Sequence, residues 1–373
     1  MAKRILITST DLMMAQFLLP HVKNLSQNGY VVDIACCNVG NKIDIISKSL
    51  EGYINKFHIV RTVRSPFSPK NIKGYKDMKS IITQNEYDYV WTNEPVMGVV
   101  TRLAARKKRK QNLLKVLYMA HGFHFFKGAP LINWLLFYPT EYLASFLTDC
   151  LVTVNREDFN RAKKLHTKEV KYIHGIGINT ERLNLNSNTQ IRKELNLSES
   201  TFLVLSVGEL NKNKNQKTII KALAQINDQN VHYILCGKGD QAANLKALAE
   251  ELNVADRVHF LGYRTDVVNI CAQSDVFVMP SLREGLPVAS LEAMYCGLPL
   301  ITSNIRGLVD IMQNGVSGYL CSPTDSTAFA KAIITLYKNE ELVVSMKQNN
   351  TETVKPYLLQ NTAKEIMEIF DGF

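Results

Sequence analysis

Two doubly wound α/β domains are the fold class that this 373-residue sequence predicts, and three observations carry the expectation. Short β-branched or apolar runs alternate with helix-patterned segments almost throughout, which implies βαβ units and parallel sheets. The runs fall into two series, each long enough for one sheet. The length suits two to three domains at ~150 residues apiece. Apolar residues at 46% and charged residues at 21% match globular usage, not a disordered tail or a rod.

The first series opens with Arg4 to Thr8. A helix follows, read from Ala15, Leu18, Leu19, Val22 and Leu25 at spacings of three and four, stopping near Gly29, with Pro20 placed to kink it. Tyr30 to Ala35, Tyr87 to Trp91, Leu114 to Met119 and Cys150 to Val154 supply the remaining strands. The second series is Phe202 to Val207, His232 to Cys236, Val258 to Leu261, Val276 to Met279 and Leu298 to Thr302. Between the two lies HGIGINTERLNLNSNTQ, His174 to Gln190, rich in Gly, Asn and Thr and without an apolar period. The domain boundary is placed there. Two such domains facing each other would put the strands' carboxyl ends on a central cleft, where doubly wound folds bind ligands.

Composition excludes several functions. The longest uncharged stretch is the 14 residues from Ile311 to Thr324, short of the ~20 that a spanning helix needs. MAKRILITSTDL is not a signal peptide by pattern, so a cytoplasmic protein is expected. Seven cysteines without C-x-x-C read as core residues, not as a zinc site or a disulfide framework. Residues 1–180 carry 26 Lys and Arg against 13 Asp and Glu, whereas 181–373 carry 18 against 21, so only one half is basic. The tightest run, Arg106-Lys107-Lys108-Arg109-Lys110, has no interleaved aromatics and no nucleic-acid motif. Lipid head groups or an anionic substrate fit it better, with a plainly solvated face as the alternative.

Four constellations could carry chemistry, each directly after a strand. Ser281 to Met294, SLREGLPVASLEAM, reads as loop then helix: Pro287 suits the first helical position, Gly297 the stop, Glu284 the loop and Glu292 the helix interior. A helix N-terminus attracts an anion such as a diphosphate, and flanking carboxylates accept hydrogen bonds from sugar or ribose hydroxyls; a carboxylate that merely answers the helix dipole is the alternative. Ser206 to Asn215 holds Gly208 and Asn residues for tight backbone geometry and Lys214 to reach a phosphate, unless it is only a polar turn. Cys236-Gly237-Lys238-Gly239-Asp240 is a weak third, and Met119 to Phe126, with His121 and His124 bracketing a Gly-Phe turn, is the fourth. The first turn lacks the glycines of a dinucleotide fingerprint, and there is no Walker A loop or D-x-D. No cofactor and no metal are expected.

Taken together, these residues resemble the retaining family-4 glycosyltransferases of the GT-B class: the Gly208 to Lys214 loop, the Gly237-Lys-Gly239-Asp turn, Phe260-Leu-Gly262-Tyr, Glu284-x7-Glu292 and His121 stand in the family's order. HGFHFFKGAP and GELNKNKN look most like bacterial transferases that build capsule, exopolysaccharide or lipid-linked glycans. The resemblance implies two Rossmann-like domains, an acceptor-side one over 1–178 with a returning C-terminal helix at 358–373, and a nucleotide-sugar-binding one over 179–357. It implies diphosphate binding by Lys214 and the backbone around Gly285, Leu286 and Pro287, ribose binding by Glu292, the base near Tyr263, and the transferred sugar held by Glu284 and His121. Glu209 stands where the family commonly has Arg, so Lys214 and helix amides would suffice, or Arg264 or Lys238 would help. The partners implied are a nucleotide-sugar donor, a UDP-sugar first, a glycan or polyprenyl-diphosphate-linked acceptor, and an anionic membrane surface under the N-terminal domain, on the inner face of the plasma membrane. Rival readings are a nucleotide-sugar epimerase or phosphorylase on the same architecture, or a non-catalytic subunit that binds a sugar nucleotide.

Overall fold

The computed structural model describes residues 2–38, 48–183 and 190–373. The chain divides into two units, Met1–Gly177 with Leu359–Phe373, and Ile178–Leu358. Each unit is built on a wholly parallel sheet.

The first sheet comprises β1 (Arg4–Asp11), β2 (Val31–Cys37), β3 (Lys56–Ile59), β4 (Tyr89–Asn93), β5 (Lys115–Ala120), β6 (Cys150–Thr153) and β7 (Glu169–Tyr172), in the order β3-β2-β1-β4-β5-β6-β7. The helix after β1 runs Leu12–Gln27 with Pro20 inside it, and Gly29 at φ 84 ends it in the left-handed conformation that glycine adopts without strain. The C-terminal helix, Leu359–Asp371, belongs to this unit: Phe370 meets Tyr89 and Trp91 edge-on at 5.5 and 5.9 Å, and His174 bonds Glu365 at 2.6 Å.

The second sheet comprises β8 (Phe202–Val207), β9 (Val231–Cys236), β10 (Val258–Gly262), β11 (Val276–Met279), β12 (Leu300–Ser303) and β13 (Gly318–Cys321), in the order β10-β9-β8-β11-β12-β13. Strand periodicity explains why these runs are apolar throughout. Phe202 and Val204 face one core cluster while Leu203 and Leu205 face another, so helices cover both faces of the sheet.

In both sheets the strand order reverses direction once, between β1 and β4 in the first and between β8 and β11 in the second. Loops leaving the carboxyl ends of strands on either side of such a reversal diverge and leave a crevice. Of the residues singled out in the sequence, Gly208, Lys214, Glu284 and the residues after it lie in loops at the second reversal, whereas Lys238, Tyr263 and Arg264 follow β9 and β10.

Candidate active site

At the β8/β11 reversal the loop 208–215 meets the loop 280–287. Lys214 Nζ donates to Glu284 Oε1 at 2.8 Å, with the side chains 23% and 12% exposed. The backbones are joined too, since Leu282 N donates to Asn213 O at 2.8 Å and Asn213 Nδ2 to Arg283 O at 2.9 Å. Asn215, at φ 57 and buried, donates its amide to Pro280 O and Pro323 O at 2.9 and 2.8 Å. Lys214 is therefore held in place rather than waving in solvent. An ammonium has three donors, so one bond to Glu284 leaves two for a phosphate; the second Glu284 oxygen can accept a hydroxyl.

Gly208 lies at φ 147, with the Lys214 stem 3.4 Å from where a Cβ would sit. The Gly237 to Gly239 turn packs against this loop so closely that a Cβ on Gly237 would lie 1.8 Å from Gly208 O. Glycine there is a packing requirement, whatever else the turn does. Glu209 is exposed and accepts from Asn211 Nδ2 at 2.9 Å.

Beyond Glu284, Gly285 and Leu286 lead into the helix Val288–Tyr295. Pro287 occupies the cap at φ −82, not the first helical position expected for it, so the helix begins one residue later; Gly297 at φ 80 closes the other end as expected. Glu292 lies in the second turn, half-buried. A further loop buttresses the site: Arg306, buried, donates Nε to Glu284 O at 3.1 Å, and a Cβ on Gly307 would lie 2.1 Å from Gly285 O. Arg306 is absent from the sequence reading; its only signal is Ile305-Arg306-Gly307 after a strand.

Tyr263 and Arg264 follow β10, two strands from β8. Tyr263 is 72% exposed, open for stacking. Arg264 is committed elsewhere: it grips Asp266 through two nitrogens at 2.8 and 2.7 Å and Glu194 at 2.6 Å, and the bonds to Asp266 raise its already high pKa further. Lys238 is exposed.

In the first unit the corresponding reversal holds a second network. Glu94, immediately after β4, sits at φ 64 before a proline, a strained conformation for a residue with a side chain. Its carboxylate accepts from Thr10 N at 2.6 Å and Ser9 Oγ at 3.1 Å, so it supplies from a side chain the closure that the glycine-free first turn lacks. Beside it Asn93 Nδ2 donates to Thr8 O at 3.2 Å, which leaves Oδ1 to accept from His121 Nε2 at 3.0 Å. His121 thus carries its proton on Nε2 and presents a lone pair at Nδ1. Desolvation lowers its pKa to about 4, so it is a neutral acceptor at pH 7. Asn93 and Glu94 escaped the sequence reading because a polar pair after a strand resembles any solvated loop. Among the described residues no group of three or more His, Cys, Asp or Glu is placed to hold a metal ion.

Family models match both units: "Glycosyl transferase 4-like" over residues 6–155 and "Glycosyl transferases group 1" over 187–353. The Bacillus subtilis "Putative glycosyltransferase EpsD" is 37% identical over 381 residues, covering 100% of this chain and 97% of that protein. The chain belongs to the glycosyltransferases. An Escherichia coli UDP-Gal:alpha-D-GlcNAc-diphosphoundecaprenol alpha-1,3-galactosyltransferase is 29% identical, covering 83% of this glycosyltransferase and 84% of that one. The crystal structure of Anabaena Alr3699/HepE in complex with UDP and glucose superposes over 100% of both chains with a TM-score of 0.80 at 20% identity, a likeness of fold that identifies the architecture as GT-B.

Proposed function

We propose that this glycosyltransferase moves a sugar from a nucleotide diphosphate, a UDP-sugar first among the candidates, onto a glycan or polyprenyl-diphosphate-linked acceptor during bacterial surface-polysaccharide synthesis, with retention of configuration. The observation that carries the reading is the Lys214–Glu284 bridge across the β8/β11 reversal, a fixed cation beside a fixed carboxylate where such sheets bind ligands. In this reading Ile178–Leu358 is the donor unit and Met1–Gly177 with Leu359–Phe373 the acceptor unit. Lys214 and the amides of Gly285 and Leu286 take the diphosphate, Glu292 the ribose, and Tyr263 stacks on the base. Glu284 and the Nδ1 lone pair of His121 accept from hydroxyls of the transferred sugar.

The bond between the anomeric carbon and the diphosphate oxygen breaks while the acceptor oxygen bonds to the same face, and the acceptor's proton passes to the departing oxygen. This route demands charge stabilisation on the leaving group more than a nucleophile, and Lys214 meets that demand. Arg264, held by Asp266 and Glu194, contributes to a diphosphate only by exchanging those partners. The similar Escherichia coli enzyme, whose name includes a UDP-sugar and a diphosphoundecaprenol-linked acceptor, supports both substrate classes.

Membrane docking of the N-terminal unit completes the proposal. Among the described residues no helix is long and apolar enough to cross a membrane. The helix Leu131–Ser145 nonetheless turns Trp134, Phe137 and Tyr138 inward while leaving Leu131, Ile132, Leu135 and Leu143 exposed, and its single charge, Glu141, is buried. Such a face suits an interface. Of the basic run, Arg106, Lys107 and Lys110 are exposed, whereas Lys108 donates to Asn85 O at 2.8 Å and Arg109 bridges Asp149 at 2.9 Å, so three cations rather than five face outward.

The test is turnover with a panel of nucleotide-sugars and polyprenyl-diphosphate oligosaccharides, followed by NMR of the product's anomeric proton. Acceptor-dependent UDP release with an unchanged anomeric configuration is expected. Inversion would remove the retaining mechanism, and the absence of transfer from every donor would remove the proposal.

A further inference from the structure

The N-terminal unit contains a cavity of about 670 Å³ whose lining includes neither His121 nor any donor-site residue. Its walls come from the segment 66–75, the helix Pro95–Lys110, the loop after β5 and the helix Leu131–Ser145. Besides the rings of Tyr75 and Tyr118, most of the polar side chains on those walls already have partners. Glu141 holds the fully buried Arg102 through both oxygens at 2.5 and 3.0 Å. Asn71 accepts from Val63 N at 3.0 Å and donates to Ser65 O at 2.8 Å, Ser68 accepts from Lys70 N at 3.4 Å, and Thr140 donates to Leu136 O at 2.7 Å. His124 stacks on Phe137 at 4.6 Å. To use these groups a sugar or nucleotide would have to displace their bonds, whereas a hydrocarbon needs none of them.

The cavity is also open. Phe67 and Ile72 on its wall are 74% and 62% exposed, and Leu103 and Leu136 are exposed as well, an unfavourable state in water for side chains gathered around a void. Leu136 continues into the outward apolar face at Leu131, Ile132 and Leu135, and Leu103 has Arg106, Lys107 and Lys110 three, four and seven residues on along the same helix face. At the other end the walls run directly into the site: Pro95 and Val96 follow Glu94, and Phe123 and His124 follow His121. One end therefore meets an apolar, cation-flanked surface and the other meets the histidine loop.

We infer that this cavity holds the prenyl chain of a lipid-phosphate acceptor, entering from the exposed face of Leu131–Ser145 and carrying its phosphate toward the His121 loop. This rests on the reading of the chain as a transferase that acts on a lipid-linked acceptor.

The test is equilibrium binding of radiolabelled farnesyl phosphate and dimethylallyl phosphate, below micelle-forming concentration, to the wild type and to Val99→Trp and Ile72→Trp, which fill the cavity from two walls. Wild type is expected to bind farnesyl phosphate about tenfold or more tighter than dimethylallyl phosphate. At least one variant that keeps the wild-type melting temperature and its affinity for anionic vesicles should lose that preference. Equal affinity for the two phosphates in wild type, or an undiminished preference in both folded variants, would overturn the assignment. If farnesyl phosphate binds as expected while no donor supports transfer, the cavity assignment stands and the catalytic reading falls.

Discussion

At Lys214 and Glu284, two opposite charges sit on adjacent loops at 2.8 Å, each more than three-quarters buried. With Lys214 binding the diphosphate as proposed, Lys214→Ala should weaken nucleoside-diphosphate binding by roughly 1.5 to 3 kcal/mol, about ten- to 150-fold by isothermal titration. Glu209→Ala, an exposed site, should leave that affinity close to wild type. The Asn93–His121 pair makes a different prediction. With His121 at about 4, activity should be flat across pH 5 to 8 as far as this imidazole is concerned. Asn93→Asp places an anion against Nε2, raises the histidine's pKa, and should give kcat/KM an acidic limb in that range; an unchanged profile would show that His121 does not touch the reacting sugar. Lys214 and Glu284 were readable in sequence because each follows a buried strand in a loop with glycine. Asn93, Glu94 and Arg306 were not, since their meaning comes from partners 28, 84 and 22 residues away.

Among elements, the buried ion pair between the helices Pro95–Lys110 and Leu131–Ser145 has the largest structural consequence. Arg102 is fully buried, lies 4.0 Å from the Tyr118 ring centroid, and spends its nitrogens on Glu141 and Gly98 O. Removing Glu141 alone strands that cation, so Glu141→Ala should destabilise the protein by about 3 to 5 kcal/mol in urea melts, whereas the double change Arg102→Met with Glu141→Leu should recover most of the loss. The outward face of Leu131–Ser145 carries the docking prediction. Three exposed cations worth up to about 1 kcal/mol each near an anionic surface give a binding that salt weakens. Arg106, Lys107 and Lys110 changed together to Gln should reduce sedimentation with anionic vesicles at low salt, and Leu131→Ser with Leu135→Ser should reduce it at high salt too. Equal sedimentation of all the variants would exclude this face as the anchor. The strands that escaped the sequence reading, β3, β7 and β13, are all sheet edges. With one neighbour each, KFHI, EVKY and GYLC are only partly buried and lack the continuous apolar run that marked the central strands.

For the molecule as a whole, desolvation lowers the pKa of His21, His121 and His259 to about 4 each, and that of His232 in the same direction. An unfolded imidazole takes up its proton near 6.5, so between about 6.5 and 4 the unfolded chain binds more protons than the folded one. Stability should therefore be full above about pH 6.5 and decline as the pH falls toward 4, seen as a falling urea midpoint. The carboxylates with lowered pKa, Asp33, Asp77 and Asp149, add their loss only below the ordinary carboxylate range. A midpoint that is constant from pH 7 to 5 would contradict the neutral state of these rings. The doubly wound architecture was legible because central parallel strands are buried on both faces and must be apolar throughout. The candidate site was legible only as far as its loops follow strands. Whether Glu284 acts on the transferred sugar while Lys214 holds the leaving diphosphate is decided by acceptor-dependent nucleotide release from Glu284→Gln beside wild type. Turnover should fall by roughly 100-fold or more while nucleoside-diphosphate affinity and melting temperature stay near wild type; full turnover in folded Glu284→Gln would remove Glu284 from the reaction.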